Sequence, residues 1–439
     1  MYLLKLHLLL LLLPILAPLC FSSYPLPEEF NSGNGMTTFS GGCDKPSIRN
    51  WMSWTDSEAL APSPSVTTRT IINVDSFLRK GRRGDHTKAF KRAWKKACSI
   101  KGGVFLVPRH KYRVRPIKFL GPCRSHFAVK ILGKIEASEN LTHYRDGQHW
   151  LMFENIRNFR VDGGGTIDGN GHIWWHNSCK INKTMPCHHA PTAVTFVGCK
   201  NMVVNGLRIM NAQQMHLTFQ RCNNVRASHL LVKSPATSPN TDGIHLTQSR
   251  NIFISRSLLQ TGDDCISIVD GSKKIKASDI KCGPGHGISI GSLGKGQSKD
   301  HVSDVSVNRA IFSGTSNGVR IKTWQGGQGY AKNIVFQNIV MHNVSNPIII
   351  DQHYCDQRTP CHAMKSAVRV QNVVYKNIRG TSATKVAIKL DCSKNYWCKG
   401  IVLQNVKLVK TGDVEAHADC HNVKLVRRGS VSPTCFPDP

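Results

Sequence analysis

The sequence predicts an all-β solenoid, a parallel β-helix, from three observations. A unit of the form Asn or Lys, apolar, any residue, apolar recurs, mostly at intervals of 23 to 30 residues. Such a repeat is typical of solenoids, whose units bury their apolar sides only against neighbouring units. The strands are rich in Val and Ile with Asn and Gly at the bends, and the pattern of leucine-rich repeats is absent. The second residue of each unit lies at positions 158, 201, 224, 251, 274, 304, 333, 372 and 400.

One segment before the repeats has a helical period. In His86–Cys98, the residues Ala89, Phe90, Ala93, Trp94 and Ala97 fall on one helical face, with Asp85 or Thr87 as the candidate N-cap. The first coil of a solenoid exposes unpaired strand edges and an apolar end. We therefore expect this helix to cap the first coil.

The N-terminal region predicts export. Residues 1–23 combine one lysine, a leucine-rich run and small residues, as in a secretory signal peptide. A signal anchor is the alternative, but Pro14 and Pro18 interrupt the run, which is shorter than the ~20 residues of a membrane span. We expect a poorly structured extension over 24–69, a single β-helix domain over 70–439, and a secreted protein without a membrane attachment after cleavage.

Cysteine usage agrees with an oxidising compartment. Of the 16 cysteines, Cys20 lies in the predicted signal peptide, so 15 remain and at least one is unpaired. The spacing suggests local disulfides without fixing the connectivity. The suggested pairs are Cys392/Cys398, Cys355/Cys361, Cys179/Cys187, Cys265/Cys282 and Cys98/Cys123. Sequons for N-glycosylation begin at Asn140, Asn182 and Asn343.

The charge suggests a polyanionic partner. The chain has 58 Lys and Arg against 27 Asp and Glu, a formal net charge of +31. Nucleic acid is the usual partner of such a protein, but the export signal argues against it and favours an acidic polysaccharide of a cell wall or matrix. The alternative is a solvated basic surface with no partner.

Three polar residues are regularly spaced in this otherwise basic chain. Asp242, Asp264 and His286 follow one another at intervals of 22 residues, and each precedes a run of small residue, aliphatic, polar, aliphatic. If one coil has about 22 residues here, the three lie on successive coils, ~4.8 Å apart. Asp263 shares a turn with Asp264, and Arg320 and Lys322 follow on the next coil. Three carboxylates, an imidazole and two cations would then form one patch.

Such a patch suits hydrolysis of a glycosidic bond. Neighbouring carboxylates cannot all ionise at ordinary pKa values, so one should keep its proton while the cations hold the others charged. A protonated and an ionised carboxyl group are the acid and the base that this reaction needs. Taken singly, the turns and the histidine have ordinary structural explanations; their shared register favours a site.

From about residue 70 to the C-terminus, the sequence resembles the plant polygalacturonases of glycoside hydrolase family 28. The motifs that carry the resemblance are NTDGIH at 240–245, GDDC at 262–265, CGPGHGISIGSLG at 282–294 and RIK at 320–322, with WWHNSC at 174–179 and IIIDQHYC at 348–355. The family's acidic stretch in the first coil is replaced here by the basic FLRKGRRGDHTKAF at 77–90. This departure affects the N-terminal cap and no catalytic position.

The resemblance implies a right-handed parallel β-helix that hydrolyses α-1,4-linked galacturonan with inversion and without a cofactor. On matching positions, Asp263 is the expected general acid, and Asp242 with Asp264 is expected to hold and deprotonate water. His286 is expected to tune the acid and contact substrate. Arg320 and Lys322 are expected to bind a galacturonate carboxylate, and Asn240 and Tyr354 to line the cleft.

We therefore expect a monomeric, secreted, endo-acting polygalacturonase of the cell wall. Exo action on the same polymer and hydrolysis of a rhamnose-containing pectin are the alternatives within the hydrolases. A pectate lyase is a further alternative, because clustered aspartates can hold Ca²⁺. The last alternative is a non-catalytic β-helix that binds pectin.

Overall fold

The structure is a computed structural model, which describes residues 69–78, 84–144, 148–187, 189–357, 359–365, 367–412 and 414–435. The predicted signal peptide and all but the last residue of the predicted extension lie outside these ranges. The predicted bounds of the single β-helix domain, residues 70 and 439, stay predictions.

Eleven strands form one parallel sheet, in chain order along its length. We call it the cleft sheet, because it carries the site described below. Its strands are Ile117–Leu120, His149–Glu154, Thr192–Val197, Leu217–Gln220, Ile244–Thr247, Ile266–Ile268, Ile288–Leu293, Asn317–Thr323, Asn346–Asp351, Val386–Asp391 and His417–His421.

The other 18 strands wrap around the remaining faces and pair in parallel as well. In the early coils two short strands follow each other. From Arg250–Gln260 onward each coil has one long strand instead, and Arg250–Gln260 itself pairs with both short strands of the preceding coil. The bounds are Thr70–Asn73, Gly103–Val107, Lys111–Val114, Ala128–Ile131, Lys134–Ala137, Arg157–Asp162, Thr166–Asp168, Lys200–Asn205, Arg208–Met210, Asn223–Ser228, Leu231–Lys233, Arg250–Gln260, Lys273–Cys282, Lys299–Ser313, Gln328–Val344, Arg369–Ser382, Cys398–Lys410 and Val423–Ser432.

This topology confirms the right-handed parallel β-helix. Side chains at equivalent positions stack inside the coils, as the aligned aliphatic residues predict. Ile244, Ile266, Ile288 and Val319 are opposite one another on successive coils and are fully buried. Phe119, Phe153, Phe196 and Phe219 stack in the same way near the N-terminal end, with ring centroids 4.7 to 5.6 Å apart. The core is therefore one continuous column of apolar layers.

The recurring unit of the sequence marks one bend of every coil. Its second residue has a positive φ at all nine positions, from Asn158 (52°) to Gly400 (66°). Asn and Gly tolerate this left-handed backbone better than other residues do. The asparagine side chains also bond from coil to coil, since Asn224 donates to Asn201 at 2.9 Å and Asn251 donates to Asn224 at 3.2 Å. The repeat thus reflects a backbone requirement reinforced by an asparagine ladder.

Replacing Asn224 tests this explanation. Alanine should lower the free energy of unfolding by about 1–2 kcal/mol, because it adopts a left-handed backbone poorly. Glycine should cost less, since Gly400 occupies the equivalent position of a later coil with φ 66°. The measurement is urea denaturation of both variants at one pH. Equal losses would mean that the side-chain hydrogen bonds, and not the backbone, set the preference.

The predicted helix covers the N-terminal end of the coils. It spans Thr87–Cys98, and the five residues of the predicted face are all buried. Trp94 packs against Phe105, Phe119 and Phe127, with centroids 5.6, 4.8 and 5.0 Å away. The N-cap prediction was wrong, because the helix begins at Thr87 and the N-cap residue is His86, whose side chain makes no capping hydrogen bond. Asp85, one residue earlier, accepts a hydrogen bond from the Thr87 amide at 3.0 Å. A second helix spans His172–His176, and 3-10 turns span Val74–Phe77, Leu141–His143 and Lys295–Gln297.

All five suggested disulfides are present in the structure. A sixth, Cys420–Cys435, ties the C-terminal segment to the last coil and has no counterpart in the prediction. Among the described residues, Cys199 and Cys222 are buried free thiols. The sequon residues Asn140, Asn182 and Asn343 are exposed, and their glycosylation stays a prediction. No helix in the described ranges has the length and apolarity needed to cross a membrane.

Candidate active site

The register of the cleft sheet brings the predicted residues together. Ile244, Ile266 and Ile288 are direct partners, and Asp242, Asp264 and His286 each lie two residues before them. His245, Ser267, Ser289 and Arg320 form the next outward column, one residue after these partners. Lys322 projects from the same strand as Arg320. The predicted alignment of four coils is therefore confirmed.

Asp264 lies at the centre of a buried charge cluster. Its carboxylate accepts hydrogen bonds from Arg320 Nη2 at 2.7 Å and from Lys322 Nζ at 2.9 Å. Ser289 Oγ donates to the same carboxylate at 2.7 Å. Burial alone would raise the pKa of Asp264, but the charges of Lys322 and Arg320 outweigh burial and hold it below its ordinary value. Asp264 is therefore a permanent anion between two permanent cations.

Asp242 has the opposite electrostatic environment. It is 8% exposed, and burial followed by the nearby charge of Asp263 raises its pKa. Ser267 Oγ donates to its Oδ2 at 2.6 Å, and His245 Nδ1 lies 3.6 Å from the same oxygen. The pKa values of Asp242 and Asp264 are thus shifted in opposite directions by their surroundings.

A buried histidine holds the turn that carries Asp242. His216 Nδ1 is 2.9 Å from the backbone carbonyl of Asp242, and its Nε2 is 2.8 Å from Ser234 Oγ. Because a carbonyl can only accept, Nδ1 carries the ring proton. Burial lowers the pKa of His216 to about 4, so the ring is neutral at ordinary pH. His216 therefore positions Asp242 without adding charge to the site.

Asp263 and His286 form the solvent-facing part of the site. His286 Nδ1 is 2.9 Å from Asp263 Oδ1, and the side chain of Asp263 is 22% exposed, against 2% for that of Asp264. The hydrogen bond with Asp263 outweighs burial and raises the pKa of His286. Ligand atoms of Asp263, Asp264 and His286 all lie within 4.8 Å of one another. A sugar oxygen approaching from solvent would meet Asp263 and His286 before either buried carboxylate.

Tyr354 and Asn240 lie at the edges of this patch. The Tyr354 ring centroid is 5.3 Å from Lys322 Nζ and 5.6 Å from the ring centroid of Trp324, so the tyrosine belongs to the cluster. Asn240 lies in the turn two residues before Asp242, half-buried and with a φ of 53°. Its position is compatible with the predicted contact to substrate, which stays a prediction.

Four polar residues of the site were not predicted from the sequence: His216, His245, Ser267 and Ser289. The two serines stand between isoleucines in the aligned ISI runs, at outward positions one coil beyond an aspartate. That pattern was a usable signal, because outward polar residues next to a buried carboxylate are its natural hydrogen-bond donors. His216 carries no such signal, since its partner is a backbone carbonyl one coil away.

The cluster contains the groups that glycosidic bond hydrolysis requires. Asp264 is held ionised, Asp242 has a raised affinity for protons, and the Asp263–His286 pair can hold a proton at the solvent-facing side. Carboxyl groups with such different environments divide the acid and base roles between them. On the outer face of a parallel β-helix, this set defines a hydrolase that acts on a carbohydrate.

Comparison with known proteins gives the family. The family model described as "Glycosyl hydrolases family 28" matches residues 98–435, and the chain belongs to this family and is a glycoside hydrolase. The chain is similar to Polygalacturonase QRT2 of Arabidopsis thaliana, with 53% identity over 95% of this chain and 96% of the relative. It is also similar to a polygalacturonase of Malus domestica, with 57% identity over 86% of this chain and 81% of the relative.

A solved structure supports the fold independently. The polygalacturonase from Erwinia carotovora matches 85% of this chain and 100% of its own, with a TM-score of 0.68 and 22% identity. At that identity the likeness concerns the fold alone.

Proposed function

We propose that the protein is a secreted, endo-acting polygalacturonase that hydrolyses α-1,4-galacturonosidic bonds of pectin with inversion. The observation that carries the proposal is the contact of Asp264 with Arg320 and Lys322, beside the Asp263–His286 pair. Two fixed cations suit a substrate with a carboxylate on every sugar. The names of the plant relatives, all polygalacturonases, support the same substrate.

In the proposed reaction Asp263 donates a proton to the leaving glycosidic oxygen. Before the reaction, Asp263 Oδ1 and His286 Nδ1 share this proton. Both residues lie on the solvent-facing side of the site, which receives the glycosidic oxygen. Asp242 and Asp264 hold a water molecule, and Asp242 takes its proton as the water attacks the anomeric carbon. Arg320 and Lys322 keep Asp264 ionised, and their remaining N–H groups bind a galacturonate carboxylate. Asn240 and Tyr354 contact the neighbouring sugar.

Asp242 is a second candidate for the acid, because burial raises its pKa. The two assignments differ in the pH profile of a Ser267→Ala variant. Losing the Ser267 hydrogen bond destabilises the ionised form of Asp242 and raises its pKa further. If Asp242 is the base, the acidic limb of kcat/KM should move to higher pH, because activity requires the ionised form. If Asp242 is the acid, the alkaline limb should move to higher pH instead.

Ser289→Ala is the matched control for this measurement. Ser289 donates to Asp264, but Lys322 and Arg320 hold the pKa of Asp264 below its ordinary value. The acidic limb should therefore stay where the wild-type protein has it. We predict a shift of the acidic limb in Ser267→Ala only, which would support Asp242 as the base.

The position of the cluster within the cleft sheet supports endo action. Four strands of the sheet precede the four that carry the cluster, and three strands follow them. A polymer lying along the sheet can extend in both directions from the reacting bond. An exo enzyme would need one side closed by a loop. Export, a monomeric state and a location in the cell wall are also parts of the proposal. Six disulfides among the described residues favour an oxidising compartment.

The charge cluster argues against the lyase alternative. A calcium-dependent lyase needs free carboxylate oxygens as ligands. Both oxygens of Asp264 already bind cationic side chains. Product sizes over time test the proposal, with polygalacturonate and rhamnogalacturonan as substrates, with and without chelator. We expect a ladder of oligogalacturonates from the first polymer alone, unaffected by chelator. Monogalacturonate from the start would show exo action, and ultraviolet-absorbing products would show a lyase.

A further inference from the structure

We propose a second binding surface for polygalacturonate on the sheet that follows the cleft sheet around one bend. This inference rests on the proposed function for the identity of the polymer, and it concerns a surface outside the cleft. We call this surface the basic face. It consists of Arg157, Lys200, Arg226, Arg250, Lys273 and Lys276.

The cations of the basic face are aligned from coil to coil. Arg157 is directly opposite Lys200, and Arg250 is directly opposite Lys273, with Asn223 between the two pairs in the same column. A second column of the same strands carries Arg226 and, two coils later, Lys276. Adjacent coils are ~4.8 Å apart. The surface is therefore a ladder of positive charge parallel to the long axis of the β-helix.

Acidic side chains compensate this charge poorly. The five strands that carry the basic face contain two acids, and neither pairs with a cation of that face. Asp162 forms an ion pair with Arg160 in the same strand, and Asp279 forms one with Arg309. Lys273 has a distant partner, Asp304, at 3.8 Å. Within the described ranges, the other five cations of the basic face form no ion pair with a carboxylate. Like charges on directly opposed strands repel each other, so this arrangement costs stability in the free protein. A bound polyanion would remove that repulsion.

The charge and the geometry of the basic face indicate what binds there. A de-esterified galacturonan carries one carboxylate on every sugar, so its charge is linear and regular like that of the ladder. The surface offers exposed cations along one line. The partner that fits is therefore an extended acidic polymer.

The basic face is close enough to the cleft to share one polymer with it. Thr247 ends a cleft strand and Arg250 begins the next strand, so their Cα atoms are at most about 10 Å apart. Binding on the basic face would raise the local concentration of polymer at the cleft. Short oligomers that fill only the cleft would gain nothing. The expected signature is tighter binding of long substrates without a change in the chemical step.

The test compares two sets of four substitutions, each in an Asp263→Asn background that leaves the polymer intact. The first set removes charges from the basic face: Lys200→Gln, Arg250→Gln, Lys273→Gln and Lys276→Gln. The control set removes the same number from the exposed side of the capping helix: Lys91→Gln, Arg92→Gln, Lys95→Gln and Lys96→Gln. Both sets change the net charge equally. The measured quantity is the Kd for long polygalacturonate at low salt, with fully methyl-esterified pectin as the uncharged polymer.

We expect the basic-face set to weaken binding about tenfold, with a shallower salt dependence, and the control set to change it less than about twofold. With Asp263 restored, both sets should hydrolyse a short galacturonate oligomer at the wild-type rate. Equal weakening by both sets would show that net charge alone matters, and unchanged binding would show that the face is merely solvated. Either result overturns the proposal. A wild-type protein that fails to cleave polygalacturonate would overturn the proposed function instead, while the Kd comparison still decides the basic face.

Discussion

An Asp263→Asn variant should lose nearly all hydrolysis of polygalacturonate and keep its fold. Asparagine has the same shape but cannot give a proton to the leaving oxygen, and a general acid contributes roughly 10²- to 10⁴-fold to the rate. We expect kcat to fall by that factor while KM changes little, because substrate contacts remain. The side chain is partly exposed and its side-chain partner is His286. The free energy of unfolding should therefore change by less than about 1 kcal/mol.

Asp279→Asn is the matched control for the chemistry. Asp279 pairs with Arg309 on an outer strand, so it shares residue type and exposure with Asp263 but not its location. Its variant should release reducing ends at the wild-type rate. If the Asp263→Asn variant did the same, the assignment of Asp263 as the acid would be wrong.

Asp264→Asn should be destabilised as well as inactive. The substitution removes the single anion between Arg320 and Lys322, leaving two buried cations next to each other. Removing one member of a buried charge cluster typically costs about 3–5 kcal/mol, because the remaining charge is desolvated and uncompensated. We expect a loss of this size in urea denaturation at neutral pH. Asp263→Asn, one residue away, serves as the control for the substitution itself.

A double variant separates charge from packing in this prediction. Adding Lys322→Met to Asp264→Asn removes one of the two uncompensated cations while keeping an unbranched side chain in place. Part of the lost stability should return, although activity should not. If Asp264→Asn alone unfolds no more easily than the wild-type protein, the cluster does not have the electrostatic balance described here.

Most of the fold could be predicted, because its local rules repeat on every coil. The left-handed bend at Asn158 and its successors favours Asn or Gly, although Lys274 and Asp304 also occupy it, and this preference is visible as a period in the sequence. The capping helix was predicted since its apolar face has a clear 3.6-residue period. The disulfide Cys420–Cys435 was missed, because its formation depends on how the C-terminal segment returns to the last coil.

The site was predicted as far as register alone determines it. Equal spacing of 22 residues placed Asp242, Asp264 and His286 on successive coils, and the structure has them there. The distribution of protons could not be predicted, since it depends on burial and on side-chain directions. Arg320 and Lys322 both contact Asp264, so Asp264 has the lowered pKa and Asp242 the raised one. The partners of these carboxylates on other coils, Ser267 among them, became evident only in three dimensions.

A crystal structure of the Asp263→Asn variant with a bound galacturonate oligomer tests the central claim most directly. We predict that a glycosidic oxygen lies within hydrogen-bond distance of Asn at position 263, with a sugar carboxylate next to Lys322 and a water molecule between Asp242 and Asp264. An oligomer bound elsewhere on the β-helix, with this patch empty, would contradict the account.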